Sequence, residues 1–403
     1  MSIISPSVVP SISRHMMKGV LSVMRPSKIE VRRGPGVREE VGAYCKEKGY
    51  RKVLVVTGPI VGKMEIAQKL YEGLDAAGIQ YVTFDGIQPE PLFSGCKAGS
   101  EAAKKSHVDA IIAFGGGSVM DSAKIIAATM AYPNSSFKRF EIPFTAFRHF
   151  PLITIPTTAG TGCEVTFGSI ICDDKTRTKK NIGGPGYTPE ICFLDVETTE
   201  NLLPELTATT GMDALAHLTE NYLATAGSAE VKKMCEEGVR DVLEYLPKAY
   251  QNGASDREAR EKMMESAYRG GIAINASGAV YGHALAHAIG GVYHISHGEI
   301  CGTILPEVLR YYQEPCTEQL AKLAVVCGLG TASEDAKLLA GRLVDRVFAL
   351  RDTLKLPHTI RGMRRNDLDA VKKEFWKQAL LFPAPATIWE ADLARILDRL
   401  AED

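Results

Sequence analysis

The sequence predicts an α/β domain built on a parallel sheet, followed by an all-α helical domain. Three observations predict this: four short apolar runs that each end in turn or hydroxyl residues, helical stretches between them, and a switch to helical periodicity beyond Leu203. KVLVVTG, QYVTFDG, DAIIAFGGG and LITIPTT are the four runs. Each is brief and β-rich, as strands buried on both faces of a helix-covered parallel sheet must be. Ligands of such sheets sit beyond the carboxyl ends of the strands, so the glycines and threonines after these runs are candidate binding loops. In the second half, AEVKKMCEEGVRDVLEYL and TEQLAKLAVVC carry apolar residues at three-and-four spacing with charges between them, the pattern of amphipathic helices. The chain is read as an N-terminal extension, residues 1–27, an α/β domain, 28–200, and a helical domain, 201–403, the second boundary set by the change of pattern.

Composition limits the partners. The 403 residues are 45% hydrophobic and 24% charged, with a formal net charge of −1. Nothing in that balance draws the protein to nucleic acid or to an anionic membrane, and no apolar run approaches the ~20 residues needed to cross a bilayer. The nine cysteines are scattered and form no C-x-x-C pair, which fits reduced thiols in a cytoplasmic protein better than a disulfide framework. Before Glu30 there is no acidic residue, whereas Arg14, Lys18, Arg25 and Lys28 occur. Organelle transit peptides share that composition, so an organellar location is the alternative to a cytoplasmic one with a plain surface extension. Residues 13–23 have the pattern of one short amphipathic helix.

Two loops carry the chemistry of the first domain. IIAFGGGSVMDSAK, residues 111–124, reads as strand, glycine turn and helix. Glycines let backbone N–H groups approach a pyrophosphate, and the helix N-terminus adds positive dipole. The triplet is not a G-x-G-x-x-G fingerprint, and a tight turn uses the same residues; its place after a buried strand favours binding. IPTTAGTGCEVT, residues 155–166, exposes Thr157, Thr158 and Thr161 among small residues at the next strand end, where hydroxyls can line a ribose or phosphate or simply close a local turn. Cys163 reads as a small packed residue, because no histidine lies nearby in sequence to activate it.

YGHALAHAIGGVYHISHGE gathers four of the nine histidines, His283, His287, His294 and His297. In TGMDALAH, Asp213 and His217 stand four apart and therefore share a helix face; HALAH repeats that spacing with His283 and His287. A carboxylate and several imidazoles form the O/N donor set that Fe²⁺ or Zn²⁺ accepts. A mostly apolar helix burying several imidazoles without a shared purpose needs a separate hydrogen-bond partner for each. Spacing does not choose among the four histidines. His15, His107, His149 and His358 read as ordinary histidines, and the H-E-x-x-H glutamate of zincin proteases is absent.

Taken together, GGGSVMDSAK, PTTAGTGCEVT, TGMDALAH and GHALAH…HGE resemble, in order and spacing, the iron-containing (group III) alcohol dehydrogenases, from about Lys28 to the C-terminus. The resemblance implies a Rossmann-like dinucleotide-binding domain followed by an all-helical metal-binding domain, the architecture shared with dehydroquinate synthase. It implies an NAD(P)-dependent alcohol dehydrogenase or aldehyde reductase, with hydride passing between nicotinamide C4 and an alcohol or carbonyl held on a divalent metal, usually Fe²⁺, with Zn²⁺ the alternative. Carried over by motif, the metal ligands are Asp213, His217, His283 and His297. His287 falls beside the nicotinamide and substrate, where it relays the proton, and His294 receives no role. Gly116, Gly117, Ser118 and Asp121 fall at the pyrophosphate, Thr157, Thr158 and Thr161 at phosphates and ribose, and Lys179, with Lys180 competing, at the ribose.

Two departures from the family pattern bear on the cofactor. Many members carry an aspartate after the first strand, in V-T-D; this chain has V-T-G, with Gly58. Without that carboxylate a 2′-phosphate meets no repulsion, so NADP is expected, with NAD the alternative. Cys163 stands where serine is common. The expected partner is a small alcohol or aldehyde, the expected assembly a homodimer or higher homo-oligomer, and the leading activity aldehyde reduction. Activities like those of maleylacetate reductase or hydroxyacid–oxoacid transhydrogenase are the alternatives within the class; a non-catalytic metal- or nucleotide-binding protein is the alternative outside it. The apolar loop ALLFPAPAT, residues 379–387, lies where relatives place part of the substrate pocket, or forms a plain interhelical turn.

Overall fold

The computed structural model describes residues 28–278, 280–379 and 383–402, and the chain divides at Leu203 into two compact units. In the first unit a sheet of six strands has the order β1-β8-β5-β4-β2-β3. Its strands are β1 (Glu30–Arg33), β2 (Lys52–Val56), β3 (Gln80–Phe84), β4 (Ala110–Gly115), β5 (Leu152–Pro156) and β8 (Ile191–Leu194), and every ladder is parallel. The four apolar runs of the sequence are β2 to β5, and the predicted parallel α/β sheet is borne out.

Alternation along the strands divides the core into two layers. Val53, Val55, Ile112, Phe114, Ile153 and Ile155 face one side, against α1 (Val41–Lys48) and α2 (Glu65–Ala76). Leu54, Val56, Ile111, Ala113 and Leu152 face the other, against α3 (Phe93–Ser106) and α4 (Gly117–Ala131). The backbones of α1 and α2 touch: a Cβ on Gly42 would lie 2.0 Å from the Gly73 carbonyl oxygen. The sequence reading passed over the edge strand β1, the strand β8, and an antiparallel hairpin of β6 (Gly168–Cys172) and β7 (Lys179–Gly183). Their runs are short or polar, so periodicity alone does not raise them.

One buried ion pair fixes the start of this unit to its end. Asp195, fully buried after β8, accepts hydrogen bonds from the backbone N–H groups of Gly36, Arg38 and Glu197 and from the Arg38 guanidinium, itself buried. Among the described residues the second unit is made of helices and their connecting turns. They are α5 (Pro204–Leu223), α6 (Ala229–Asn252), α7 (Arg257–Ser277), α8 (Tyr281–Tyr293), α9 (His297–Tyr312), α10 (Thr317–Val326), α11 (Ala336–Thr353), α12 (Leu368–Ala379) and α13 (Glu390–Leu400). Their starts follow local rules: Pro204 opens α5, and Ser228, Asp256 and Asp335 cap α6, α7 and α11 through side-chain oxygens. No described helix is long and apolar enough to cross a membrane. Residues 13–23, and residues 380–382 of the apolar loop, lie outside the described residues.

Removing one partner of a buried ion pair strands the other charge, at a cost of about 3–5 kcal/mol. Arg38→Met is therefore expected to destabilise the protein by that order, measured as the loss of unfolding free energy in urea.

Candidate functional site

In the α/β unit the glycine and threonine loops pack directly on each other. Gly115 ends β4, Gly116 precedes α4, and no side chain caps this helix. Val119 and Met120 donate back to Gly116 O, and a helix start of this kind suits an outside anionic acceptor at its first N–H groups. A Cβ on Gly116 would lie 3.2 Å from the Thr158 methyl, and one on Gly117 would lie 3.1 Å from Thr161 Oγ1. The close approach of the two loops therefore depends on glycine. Thr157 is buried and its backbone N–H donates to Gly115 O, while Ser118 lies at the partly exposed start of α4.

Three sequence candidates have other neighbours. Asp121 is buried, and its carboxylate accepts from the Ile170 N–H and lies 3.5 Å from the fully buried Lys124 Nζ. Burial raises the Asp121 carboxyl above its ordinary range although Lys124 and Ile170 oppose the shift. Its contacts tie α4 to β6, inside the fold. Lys179 lies on β7, nearly buried, with Nζ 4.0 Å from Glu90; Lys180 is more exposed and pairs with Asp173 at 3.0 Å. Burial pushes the Cys163 thiol well above its usual value, which keeps it protonated as a packed residue.

Gly58 follows β2. Its φ lies outside the left-handed region, and a Cβ there would meet only the Ile87 carbonyl at 3.6 Å, an ordinary contact. The backbone therefore tolerates a side chain at this position.

In the helical unit a buried polar cluster forms where α5, α8 and α9 meet. Asp213 and His217 face inward from α5, His283 from the first turn of α8, and His297 opens α9. Asp213 Oδ1 lies 3.6 Å from His283 Nε2 and 3.6 Å from His297 Nε2. Asp213 Oδ1 and His283 Nε2 are buried and have no hydrogen bond of ordinary geometry. Oxygen and nitrogen atoms left so in a dry interior are costly unless a ligand completes them, and their donor types suit a borderline divalent metal. The His217 ring stacks on His283, with centroids 4.1 Å apart and planes 16° apart.

Two residues of this cluster escaped sequence reasoning. Glu220, one per cent exposed, accepts from His283 Nδ1 at 2.9 Å and from the Val280 N–H at 3.1 Å. With Nδ1 engaged, Nε2 is the nitrogen presented towards Asp213. Gly282 makes room for this carboxylate, since a Cβ there would lie 1.8 Å from Glu220 Oε1. Glu220 stands seven residues after Asp213 and so on the same face of α5; helical spacing was the available signal. Cys301 stands four after His297, with Sγ 3.6 Å from His297 Nε2. Among the described residues, the metal-ligating atoms that all lie within 4.8 Å of one another belong to Asp213, His283, His297 and Cys301. His217 is adjacent to that group but not within it.

The other two histidines separate clearly. His287 Nδ1 lies 3.0 Å from Gln378 Oε1 of α12, and its ring centroid is 5.2 Å from that of His297. His294 is exposed, adopts a left-handed φ of 56° and closes α8 by donating its N–H to Gly290 O. It is a helix-ending residue.

The model of iron-containing alcohol dehydrogenase matches residues 27–196, and that of the Fe-containing alcohol dehydrogenase family, C-terminal, matches residues 207–401. The chain belongs to the iron-containing alcohol dehydrogenase family. It is 33% identical over 320 residues to the NADPH-dependent butanol dehydrogenase of Clostridium saccharobutylicum, covering 78% of this chain and 80% of that one. It is 31% identical over 344 residues to lactaldehyde reductase of Escherichia coli, covering 83% and 88%. The solved structure of a 1,3-propanediol oxidoreductase superposes with a TM-score of 0.88 at 27% identity, covering 93% of this chain and 98% of that one. As a member of the iron-containing alcohol dehydrogenase family, the protein is an oxidoreductase acting between alcohols and carbonyl compounds with a nicotinamide cofactor.

The metal-free cluster has a signed pH dependence. Burial opposes charge on His283, but Glu220 and Asp213 outweigh it and raise the ring to about 10 from an ordinary 6.5. Burial likewise opposes the Asp213 charge, and the rings of His217, His283 and His297 hold its carboxyl far below the usual range. A raised folded-state pKa stabilises fully below about 6.5, and the contribution is lost as pH rises through about 10. Urea unfolding of metal-free protein across that interval is expected to show declining stability, with a shallower decline in Glu220→Gln.

Proposed function

We propose that this protein is an NADPH-dependent reductase of small aldehydes whose metal, Fe²⁺ with Zn²⁺ as the alternative, is held by Asp213, His283, His297 and, from the face stacked on His283, His217. The observation that carries this reading is the Asp213 carboxylate with two imidazole nitrogens at 3.6 Å, two of these three atoms buried without an ordinary hydrogen bond. When bound, the metal supplies Lewis-acid polarisation of the substrate oxygen. The protein's own groups do the rest. Glu220 fixes the His283 tautomer, and His287, oriented through Nδ1 by Gln378, carries a proton to or from solvent at its other ring nitrogen. The glycine loop at the start of α4 holds the pyrophosphate with backbone N–H groups, Thr157, Thr158 and Thr161 line the phosphates and ribose, and Lys179 reaches the ribose.

The preference for NADPH rests on Gly58. Because its backbone tolerates a side chain, glycine here is not a requirement of the turn, and its effect is to remove the carboxylate that many family members carry at this position. At the adjacent strand end, after β3, the Asp85 carboxylate is paired with Lys63 at 3.4 Å, which lowers its repulsion of a 2′-phosphate. Reduction as the working direction follows from the usual metabolic use of NADPH. All nine cysteines are free thiols, in keeping with a cytoplasmic setting. Ile142, Phe144 and Phe147 of the α/β unit are large apolar side chains left exposed within six positions, which supports the reading of a homo-oligomer.

His283→Ala is expected to lose both the bound metal, by elemental analysis, and NADPH oxidation with a panel of short aldehydes; full retention of both would refute the metal assignment. Gly58→Asp is expected to move the ratio of kcat/KM for NADPH over NADH towards NADH by about tenfold or more, since one added carboxylate near a 2′-phosphate is worth at least ~1.4 kcal/mol. An unchanged ratio would show that another group selects the cofactor.

A further inference from the structure

We propose that Lys63 is the cation that reads the 2′-phosphate of NADPH, standing between that phosphate and the Asp85 carboxylate at the carboxyl ends of β2 and β3. The inference rests on the cofactor reading above and names the side chain that supplies what Gly58 only permits. The sheet order places the site. From β2 the chain passes outward to β3, then returns to the other side of β2 as β4 and continues outward to β5, so the order reverses between β2 and β4. The connecting helices lie on opposite faces there, α2 on one and α4 on the other. In open α/β sheets a ligand enters the crevice that such a reversal leaves at the carboxyl ends. The glycine loop flanks this crevice after β4, where a Cβ on Gly116 or Gly117 would fill the room beside Thr158 at 3.2 Å or Thr161 at 3.1 Å. The other flank is the segment after β2.

The backbone of that segment brings Lys63 to the strand ends. The Thr57 N–H donates to Phe84 O at 2.9 Å, so Gly58 and Asp85, the next residue of each strand end, leave the sheet side by side. The Gly62 N–H donates back to Gly58 O and the Lys63 N–H to Ile60 O, and a Cβ on Gly62 would lie 2.5 Å from the Thr57 methyl. The turn is therefore folded down on the end of β2 and carries Lys63 with it. Lys63 Nζ lies 3.4 Å from Asp85 Oδ2, yet the lysine side chain is 73% exposed, and an ammonium has three N–H donors. The same turn leaves Ile60 72% exposed, an apolar side chain that suits an adenine ring while Lys63 suits a phosphate. Magnitudes decide where the ammonium goes. A single exposed ion pair is weak, whereas a phosphate monoester brings about two negative charges at neutral pH and forms charge-assisted hydrogen bonds. The phosphate therefore prevails over Asp85.

The test titrates the full-length protein calorimetrically with adenosine 2′,5′-bisphosphate and with 5′-AMP, which differ only in the 2′-phosphate and undergo no turnover. The wild type is expected to bind the bisphosphate more tightly. Lys63→Met is expected to weaken bisphosphate binding about tenfold and to leave 5′-AMP binding unchanged, while Lys63→Arg, which keeps the charge, retains most of the bisphosphate affinity. Asp85→Asn, which removes the competing carboxylate, is expected to strengthen bisphosphate binding about threefold. An unfolding midpoint in urea equal to that of the wild type reports an intact fold; where it differs, Lys63→Gln is read in place of Lys63→Met. A lysine with a merely structural role would move both nucleotides together, and that result overturns the proposal. Intact bisphosphate binding in Lys63→Met overturns it equally. In either case a wild-type preference for the bisphosphate leaves the NADPH reading standing, whereas a wild type that does not distinguish the two nucleotides sinks both.

Discussion

The helical unit is organised around a buried carboxylate that has no partner of its own kind. Asp213 faces two imidazole nitrogens at equal distance, and its dry surroundings make an uncompensated negative charge there costly. Positive charge therefore has to be supplied, by protonated rings in the metal-free protein or by a divalent ion. The pKa pattern expresses the same constraint: Asp213 is held ionised by its histidines, and His283 is held protonated by two carboxylates despite burial. The atoms that hold the protons are the same atoms that form the donor set, so a divalent ion taken up there would release protons.

Small residues make that concentration of charge possible. Gly282 leaves the space that Glu220 occupies, and a Cβ at Gly270 of α7 would come within 3.3 Å of His217 Cβ. Close helix approach puts the outer carboxylate against His283 without strain. Glu220 is then held from two sides, by the imidazole and by the Val280 N–H, and orients the His283 ring.

A comparable economy shapes the α/β unit. Gly116 and Gly117 let the threonine loop close on the start of α4, so hydroxyls and a helix N-terminus gather at the carboxyl ends of β4 and β5. Asp121 and Lys124, one turn into that helix, serve the fold: they fasten α4 to the hairpin through Ile170, Thr166 and Gly168. A motif that looks uniformly functional in sequence thus divides into glycine backbone at the strand end and side chains that face the core.

The sequence by itself determined the class of both units and marked most of the residues that the helical cluster brings together. Buried strands announce themselves by continuous apolar runs, and ligands one helical turn apart by their spacing, because both signals are local. Asp213, His217, His283 and His287 were marked as candidates in that way, and His297 through the family motif. The edge strand β1 and the hairpin were not, since half-exposed strands carry weak periodicity. Only the tertiary structure decided contacts between residues distant in the chain. It paired Glu220 with His283 across 63 positions, turned Asp121 inward, showed that Gly58 is free of backbone demand, and stacked His217 on His283. Spacing states which residues share one helix face; only packing states which faces meet.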